Sequence, residues 1–151
     1  MKKLNVGCGR NYLPEYENWD ISPIVKADKY LDIRTETFPA DDFTFDEILC
    51  SGVLEQILLN EHLIHCMNEC WRVMKDKGVM TVVVPNSKFS VTFQDPMDCR
   101  HFIPETFKYF SITDDKYLLY GKVYGFKPWR IISIVSNDSH ILTVTMSCQK
   151  K

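Results

Sequence analysis

Lys3-Leu4-Asn5-Val6-Gly7-Cys8-Gly9-Arg10-Asn11 is the stretch of this sequence that decides the fold. Its first part, Lys3 to Cys8, is a short apolar run that predicts a strand and leads directly into glycine. Glycine lets the backbone turn tightly and bring bare N–H groups against a ligand. The stretch therefore predicts a strand that ends in a ligand-binding turn.

Three further short strands are predicted before residue 51, and a small or acidic residue lies at or directly before the end of each. They are Trp19 to Ser22, Lys29 to Ile33 and Asp46 to Cys50. Strands that alternate with connections favour an α/β sheet, in which ligands bind at the carboxyl ends of the strands.

The residues at these strand ends match the requirements of a nucleoside. Asp20, followed by Ile21, is placed to accept hydrogen bonds from two ribose hydroxyls. Asp32 and Ile33 fit the edge of an adenine, and the run Cys50-Ser51-Gly52-Val53 supplies a tight turn after the fourth strand. Each signal is weak alone, but four in this order predict one nucleoside-binding site.

The second half of the chain begins with the clearest helix, predicted for Glu61 to Lys75. Apolar residues recur there at three- and four-residue steps, with Asn60 as the expected N-cap. The helix is expected to end through Lys75, Lys77 and a C′ glycine at Gly78. Val79 to Val84 then predicts a central parallel strand buried on both faces.

Beyond Pro85 the pattern changes. A long loop is predicted for Asn86 to Arg100 and a short helix starting at Pro104. The carboxyl-terminal part predicts a hairpin of Arg130 to Val135 and Ile141 to Cys148, joined by a turn at Asn137-Asp138-Ser139. We expect one α/β domain over residues 1–151, with a Rossmann-like, mostly parallel sheet and a C-terminal antiparallel hairpin.

Composition excludes several classes of function. The net charge of −2 includes no block of basic residues, so nucleic acid is not an expected partner. No apolar run approaches the ~18 residues that span a bilayer, so no membrane association is expected. Six cysteines without an export signal predict reduced thiols and a cytoplasmic protein.

The spacing of the motifs also argues against a nicotinamide dinucleotide. The dinucleotide fingerprint needs a third glycine where Tyr12 stands, and its acid lies ≈ 20 residues further on. Asp20 follows Gly7 too closely to leave room for a full phosphate-binding helix.

Five segments of the chain carry a resemblance to a known family. They are Leu4-Asn5-Val6-Gly7-Cys8-Gly9, Asn18-Trp19-Asp20-Ile21-Ser22-Pro23, Phe45-Asp46-Glu47-Ile48-Leu49, Val53-Leu54-Glu55-Gln56-Ile57 and Trp71-Arg72-Val73-Met74-Lys75-Asp76-Lys77-Gly78. The chain resembles the class I S-adenosylmethionine (SAM)-dependent methyltransferases, in particular a small "type 11" branch often associated with glycan biosynthesis. The resemblance implies a seven-stranded sheet whose last strand is antiparallel.

The resemblance also assigns the predicted site residues to parts of SAM. It implies that Gly7, Cys8 and Gly9 pack against the methionine moiety and that Asp20, with Ile21 beside it, holds the ribose. Asp32 and Ile33 would flank the adenine, and Ser51, Gly52 and Val53 would lie under the sulfonium.

The chain departs from the family pattern at both ends of the site. Family members carry an N-terminal helical segment over the cofactor, whereas this sequence starts two residues before its first strand. We expect the loop 86–100 and the segment 117–129, or a protein partner or second copy, to cover the site; otherwise it is open. By position, the candidates for a general base are Asp95, Asp98 and His101, with Tyr12 as an outsider.

Two functions remain open at this point. The first is transfer of a methyl group from SAM to a small-molecule or glycan-precursor acceptor. The second is a non-catalytic module of the same fold that binds SAM, its product or a protein partner. A zinc site at His62, Cys66 and Cys70, with His65 nearby, is the weaker interpretation of those residues, because Cys70 also belongs to the apolar helix face; no metal is expected.

Overall fold

The computed structural model describes residues 1–138 and 140–150. Within them lie seven strands: β1 (Lys3–Val6), β2 (Glu17–Asp20), β3 (Lys29–Tyr30), β4 (Phe45–Ser51), β5 (Met74–Pro85), β6 (Trp129–Ser136) and β7 (Ile141–Cys148). They form one sheet in the order β3-β2-β1-β4-β5-β7-β6. β7 runs antiparallel to both of its neighbours, whereas the other paired strands are parallel. The predicted α/β class with a mostly parallel, Rossmann-like sheet and an antiparallel C-terminal hairpin is confirmed.

The bounds of the first three strands differ from the prediction: β1 and β3 are shorter, and β2 is shifted by two residues. β1 ends at Val6 because Gly7 turns the chain with a φ of 64°. β2 starts earlier than expected and ends at Asp20, while β3 keeps only Lys29 and Tyr30.

One face of the sheet carries the hydrophobic core. Residues in register across the strands share a face, and those on the core face are fully or almost fully buried. They include Leu4, Val6, Ile48, Cys50, Met80, Val82, Val144 and Met146. The helix α1 (Asn60–Val73) adds Leu63, Cys66, Met67 and Cys70 to the same cluster.

The prediction that β5 is buried on both faces was wrong. Val79, Thr81 and Val83 are only half-buried, so the strand is not buried on both faces. The described connections that follow β1, β2 and β3 contain no helix, and a helix there is what would cover this face.

The ends of α1 also differ from the prediction. The N-cap residue is Leu59, and Asn60 is the first helical residue instead. The helix stops at Val73 because Met74 already pairs with Phe45 as part of β5. Lys75, Lys77 and Gly78 therefore lie in a strand, and the left-handed position belongs to Lys77, with a φ of 61°, rather than to a C′ glycine.

Short helical turns occupy the connection between β5 and β6. Single 3₁₀ helices span Ser90–Phe93, inside the predicted loop, and Pro104–Tyr109, where a short helix was predicted. A π-helical turn, Tyr117–Gly121, continues into Lys122–Tyr124. The hairpin strands match the prediction closely, although Ser139 of the expected turn lies outside the described residues.

One edge strand of the sheet is very short and the other pairs irregularly. β3 has two residues, and β6 contains a register shift between Ile131 and Ser133. No helix in the described part of the chain has the length and apolar character needed to cross a lipid bilayer.

Candidate functional site

A cleft of about 490 Å³ lies at the carboxyl ends of β1, β2 and β4. Its volume is within the range of small-molecule and cofactor sites. The lining residues are Asp20, the last residue of β2, and residues of the loops that follow β1, β2, β3, β4 and β5. They are Gly7, Gly9, Asp20, Ile21, Asp32, Ile33, Arg34, Gly52, Val53, Gln56, Ile57 and Met97.

The structure brings eight of the ten residues predicted to bind a cofactor to this cleft. The two that do not line it are Cys8 and Ser51. Cys8 is 4% exposed, and burial raises the pKa of its thiol. Ser51 is the last residue of β4, one position before the turn that reaches the cleft.

Two glycines shape the turn after β1, each for a different reason. Gly7 has a φ of 64°, and a Cβ on it would lie 2.3 Å from Cγ2 of Val53. Gly9 has a φ of 52°, and a Cβ on it would meet no atom within 4 Å. Gly7 thus allows two loops to pack closely, whereas Gly9 leaves open space beside the cleft.

The buried side-chain amides of Asn5 and Asn18 support the loop after β1. Asn5 donates from Nδ2 to the carbonyl of Asn11 at 2.8 Å and to Oδ1 of Asn18 at 3.0 Å. Asn18 in turn donates from Nδ2 to the carbonyls of Leu13 and Tyr16. Because both side chains are buried, these bonds satisfy polar groups that would otherwise be costly and hold the loop on the sheet.

Asp20 connects two loops around the cleft. Its Oδ2 accepts the amide of Gly9 and its Oδ1 accepts the amide of Ser22, both at 2.8 Å. Each carboxylate oxygen has a second lone pair, so Asp20 can still accept from a ligand hydroxyl. The side chain is 8% exposed and lines the cleft, which makes it a pre-positioned acceptor.

Asp32 is paired with a residue that the sequence did not single out. Arg34 donates from Nε to Oδ1 and from Nη2 to Oδ2 of Asp32, each at 2.8 Å. The hydrogen bonds from Arg34 hold the pKa of Asp32 below its ordinary value. Both groups line the cleft, where they present a bound ion pair rather than a free carboxylate.

The turn after β4 is closed by a backbone bond and a buried acid. The amide of Gly52, whose φ is 70°, donates to the carbonyl of Val83 at 2.9 Å. Glu55 is 4% exposed, and its Oε2 has no hydrogen-bond partner among the described residues. Burial, with Asp98 and Asp95 as nearby negative charges, raises the pKa of Glu55 to about 7.

The candidates for a general base are not brought together in the cleft. Asp95 is exposed. Asp98 accepts a hydrogen bond from Gln56, and burial raises its pKa. His101 packs its ring against Phe93 at 4.8 Å and lines a different cavity.

Tyr12, the outsider among these candidates, donates its hydroxyl to Oδ1 of Asp28 at 2.9 Å. This hydrogen bond raises the pKa of Tyr12, which disfavours the phenolate a base would need. None of the four candidates is among the residues that line the cleft.

Four cleft residues were not predicted from the sequence: Arg34, Gln56, Ile57 and Met97. Gln56 and Ile57 stand in the quoted Val53-Leu54-Glu55-Gln56-Ile57 motif, so their position in it was the available signal. Arg34 follows Asp32 by two residues, and Met97 belongs to a loop without any recognisable period.

The helix cysteines and histidines are positioned by packing. Cys66 and Cys70 are fully buried in the core, and Nε2 of His65 lies 2.8 Å from the carbonyl of Glu36. His62 is half-buried. Across the described residues, no group of three or more His, Cys, Asp or Glu side chains is arranged to hold a metal ion.

Comparisons with known proteins show likeness in structure only. No protein-family model matches the sequence, and no curated protein matches it. A SAM-dependent methyltransferase from Archaeoglobus fulgidus superposes with a TM-score of 0.68 at 16% identity, over 97% of this chain and 85% of that one.

Two further solved structures show the range of proteins with this architecture. The [4+2]-cyclase SpnF has a TM-score of 0.66 at 13% identity, over 98% of this chain and 74% of that one. A complex between the Haloferax volcanii Trm112 methyltransferase activator and a methyltransferase superposes with a TM-score of 0.64 at 12% identity. The superposition covers 98% of this chain and 82% of that one. The sheet order, the single antiparallel strand and these superpositions together show that the chain has the fold of the class I SAM-dependent methyltransferases.

Proposed function

We propose that this protein is a SAM-dependent methyltransferase that acts on a small-molecule or glycan-precursor acceptor. The observation that supports it best is the meeting of Gly9, Asp20 and Gly52 in one cleft at the strand ends. These residues lie at the ends of three different strands, β1, β2 and β4. The two glycines supply backbone freedom and Asp20 supplies a hydrogen-bond acceptor, both of which a nucleoside ligand requires.

The residues of the cleft fit SAM. Gly9 leaves space where any other residue would place a Cβ, which suits close approach of the amino-acid tail. Asp20 retains free lone pairs for the ribose hydroxyls. Ile33 provides an apolar contact for the adenine, beside the ion pair of Asp32 and Arg34, and Ile21 lines the cleft next to Asp20.

Bound SAM would supply an electrophilic methyl group. The chain contributes alignment and exclusion of water around that group. Only Asp20 and Asp32 line the described cleft as carboxylates, and both are already engaged in hydrogen bonds. Among the proposed acceptors, this favours a group that is already nucleophilic over a sugar hydroxyl, which would need a general base.

The test is calorimetric titration with SAM and S-adenosylhomocysteine, with NAD as the control ligand. We expect micromolar binding of both adenosyl ligands and none of NAD. Binding of NAD alone, or of no ligand, would overturn the assignment of the cleft. An acceptor screen with radiolabelled methyl groups on the same preparation then tests transfer.

A second candidate is a module of this fold that works by docking to a partner. The segment 117–124 exposes Leu118, Leu119, Val123 and Tyr124, of which Val123 is 79% exposed. Apolar residues grouped in this way favour a protein contact, either with a second copy or with an activator like that in the Haloferax volcanii complex. Light scattering shows whether the protein is a dimer, and an activity assay shows whether it needs an added protein. A monomer that is active without any added protein would reject both kinds of contact.

We also propose a cytoplasmic location. The six cysteines are all free thiols, and five of them are buried. A reducing compartment keeps such thiols in this state. Fractionation of the producing cells, with this protein followed by antibody, tests the location.

A further inference from the structure

A second cavity, of about 400 Å³, lies between the first turn of α1 and the segments that follow β5. It shares no lining residue with the cofactor cleft. Its walls are predominantly apolar and aromatic: Leu63, Ile64, Phe102, Tyr109, Phe110 and Tyr124. This volume and lining are typical of a site for a small organic molecule.

Packed rings hold these walls in place. Tyr109 and Tyr124 stack with their planes 7° apart and their centroids separated by 6.3 Å. Phe110 meets Phe126 edge-on at 4.6 Å. A Cβ on Gly121 would lie 1.9 Å from the carbonyl oxygen of Tyr109, so only glycine lets the 117–124 segment approach this closely. The cavity is therefore preformed rather than a gap between loose loops.

Arg100 supplies a positive charge to this cavity. Its Nε donates to the carbonyl of Ile57 at 2.8 Å, and its Nη2 donates to the carbonyl of Leu58 and to Oδ1 of Asn60, both at 3.0 Å. These three bonds fix the plane of the guanidinium. Nη1 has no partner within the described part of the chain.

Within residues 1–138 and 140–150, no carboxylate pairs with this charge. Arg100 forms no ion pair with any described residue, although it is half-buried, and burial lowers its pKa. A guanidinium that is partly desolvated and oriented, yet has no counterion, favours a bound anion. His101 and Asn60 add polar atoms beside it.

We propose that this cavity is a second ligand site, which binds an aromatic carboxylate with its acid group on Arg100 and its ring between the aromatic walls. The site goes beyond the proposed methyl transfer and does not depend on it, because the two cavities have separate linings. Arg100 also donates to the carbonyls of Ile57 and Leu58, and Ile57 lines the cofactor cleft, so hydrogen bonds through the backbone connect the two separate cavities.

The probe is cinnamate, with cinnamyl alcohol as its neutral match. Amide NMR titration of the whole protein is expected to shift Arg100, His101 and Tyr124 saturably with cinnamate, and to leave Gly9 and Gly52 unchanged. The alcohol is expected to bind at least about tenfold more weakly, since it lacks the charge-assisted bond. Equal affinity of the two probes, shifts confined to the cleft or no saturable shift would overturn the proposal.

Two variants test the roles separately. Arg100→Met is expected to abolish the preference for cinnamate, whereas Arg130→Met, on exposed Arg130 of β6, retains it. Tyr124→Ala keeps Arg100 and removes one wall, and Tyr124 is 52% exposed, so the variant is expected to fold. It should weaken both probes alike; unchanged affinity in Tyr124→Ala and Arg100→Met would overturn the site. Titration of the same samples with S-adenosylhomocysteine reports separately on the cofactor cleft.

Discussion

The amide of Gly9 donates to Oδ2 of Asp20 over 2.8 Å and so ties the turn after β1 to the acidic end of β2. Oδ1 of the same carboxylate accepts the amide of Ser22. One side chain thus sets the positions of two loops on either side of it while lining the cleft between them.

Replacement of Asp20 by asparagine is expected to weaken SAM binding at least about tenfold. An amide group cannot accept from both Gly9 and Ser22, because one of its two polar atoms is a donor, and an acceptor for the ribose is lost as well. Calorimetry measures the affinity. Asp115→Asn, on an exposed residue, is the matched control, and equal SAM affinity in both variants would reject the role of Asp20.

Alanine at Gly7 is expected to destabilise the protein more than alanine at Gly9. Both positions have a positive φ, which costs a residue with a Cβ roughly 1–2 kcal/mol. Only at Gly7 does the new Cβ also clash with Val53. Urea unfolding measures the difference. The double variant Gly7→Ala with Val53→Ala should recover the part due to the clash, and no recovery would contradict this account.

Glu55 is expected to make stability depend on pH between about 4.5 and 7. Because its pKa is raised in the folded state, Glu55 binds a proton more tightly in the folded protein than in the unfolded chain. Its protonation therefore adds to the free energy of unfolding, and this contribution is fully present below pH 4.5. It is lost as pH rises to about 7 and changes little above that value. The expected loss is up to about 3 kcal/mol in the free energy of unfolding.

Glu55→Gln isolates this effect because glutamine remains neutral. The stability of the variant relative to the original chain should increase from pH 5 to about 7, as measured by urea unfolding at each pH. Glu61→Gln, on an exposed residue, should show no such trend. Parallel pH profiles for the original chain and Glu55→Gln would show that folding does not change the pKa of Glu55, and would contradict this prediction.

Lysine at Arg72 is expected to cost about 1–3 kcal/mol in the free energy of unfolding. The guanidinium forms a two-point bond with Glu69, pairs with Asp42 and donates to the carbonyls of Phe38 and Ala40. A lysine ammonium cannot make all of these contacts. Thermal unfolding compares it with Arg130→Lys, and an equal, small effect in both would contradict a structural role for Arg72.

The sequence predicted the sheet class well because hydrophobic patterning and glycine turns are local signals. The first strand was predicted as Lys3 to Cys8 and is present, although Gly7 ends it at Val6. The alternation from Leu142 to Cys148 predicted β7 with its observed bounds, Ile141–Cys148. The end of α1 was wrong because the pairing of Met74 with Phe45 is a long-range contact, which takes precedence over helix periodicity.

The cleft was predictable in part for the same reason. Glycines and acids at strand ends are visible in the sequence, and they lie where strands of a parallel sheet converge. Arg34 and Met97 enter the cleft through loops whose course no pattern reveals. The buried state of Glu55 likewise follows from the packing of distant residues, including the amides of Cys99 and Arg100 on its carbonyl.

The register shift in β6 also affects the tendency of the protein to aggregate through its sheet edge at high concentration. β6 is an outer strand, and Ile132 and Val135 are more than half exposed on it, a composition that invites strand addition between molecules. The register shift between Ile131 and Ser133 interrupts the regular pairing pattern of this strand, and the opposite edge, β3, has only two residues to serve as a template. Neither side of the sheet thus offers the straight ladder on which fibrils grow, so this apolar edge is shielded by its geometry rather than by charge.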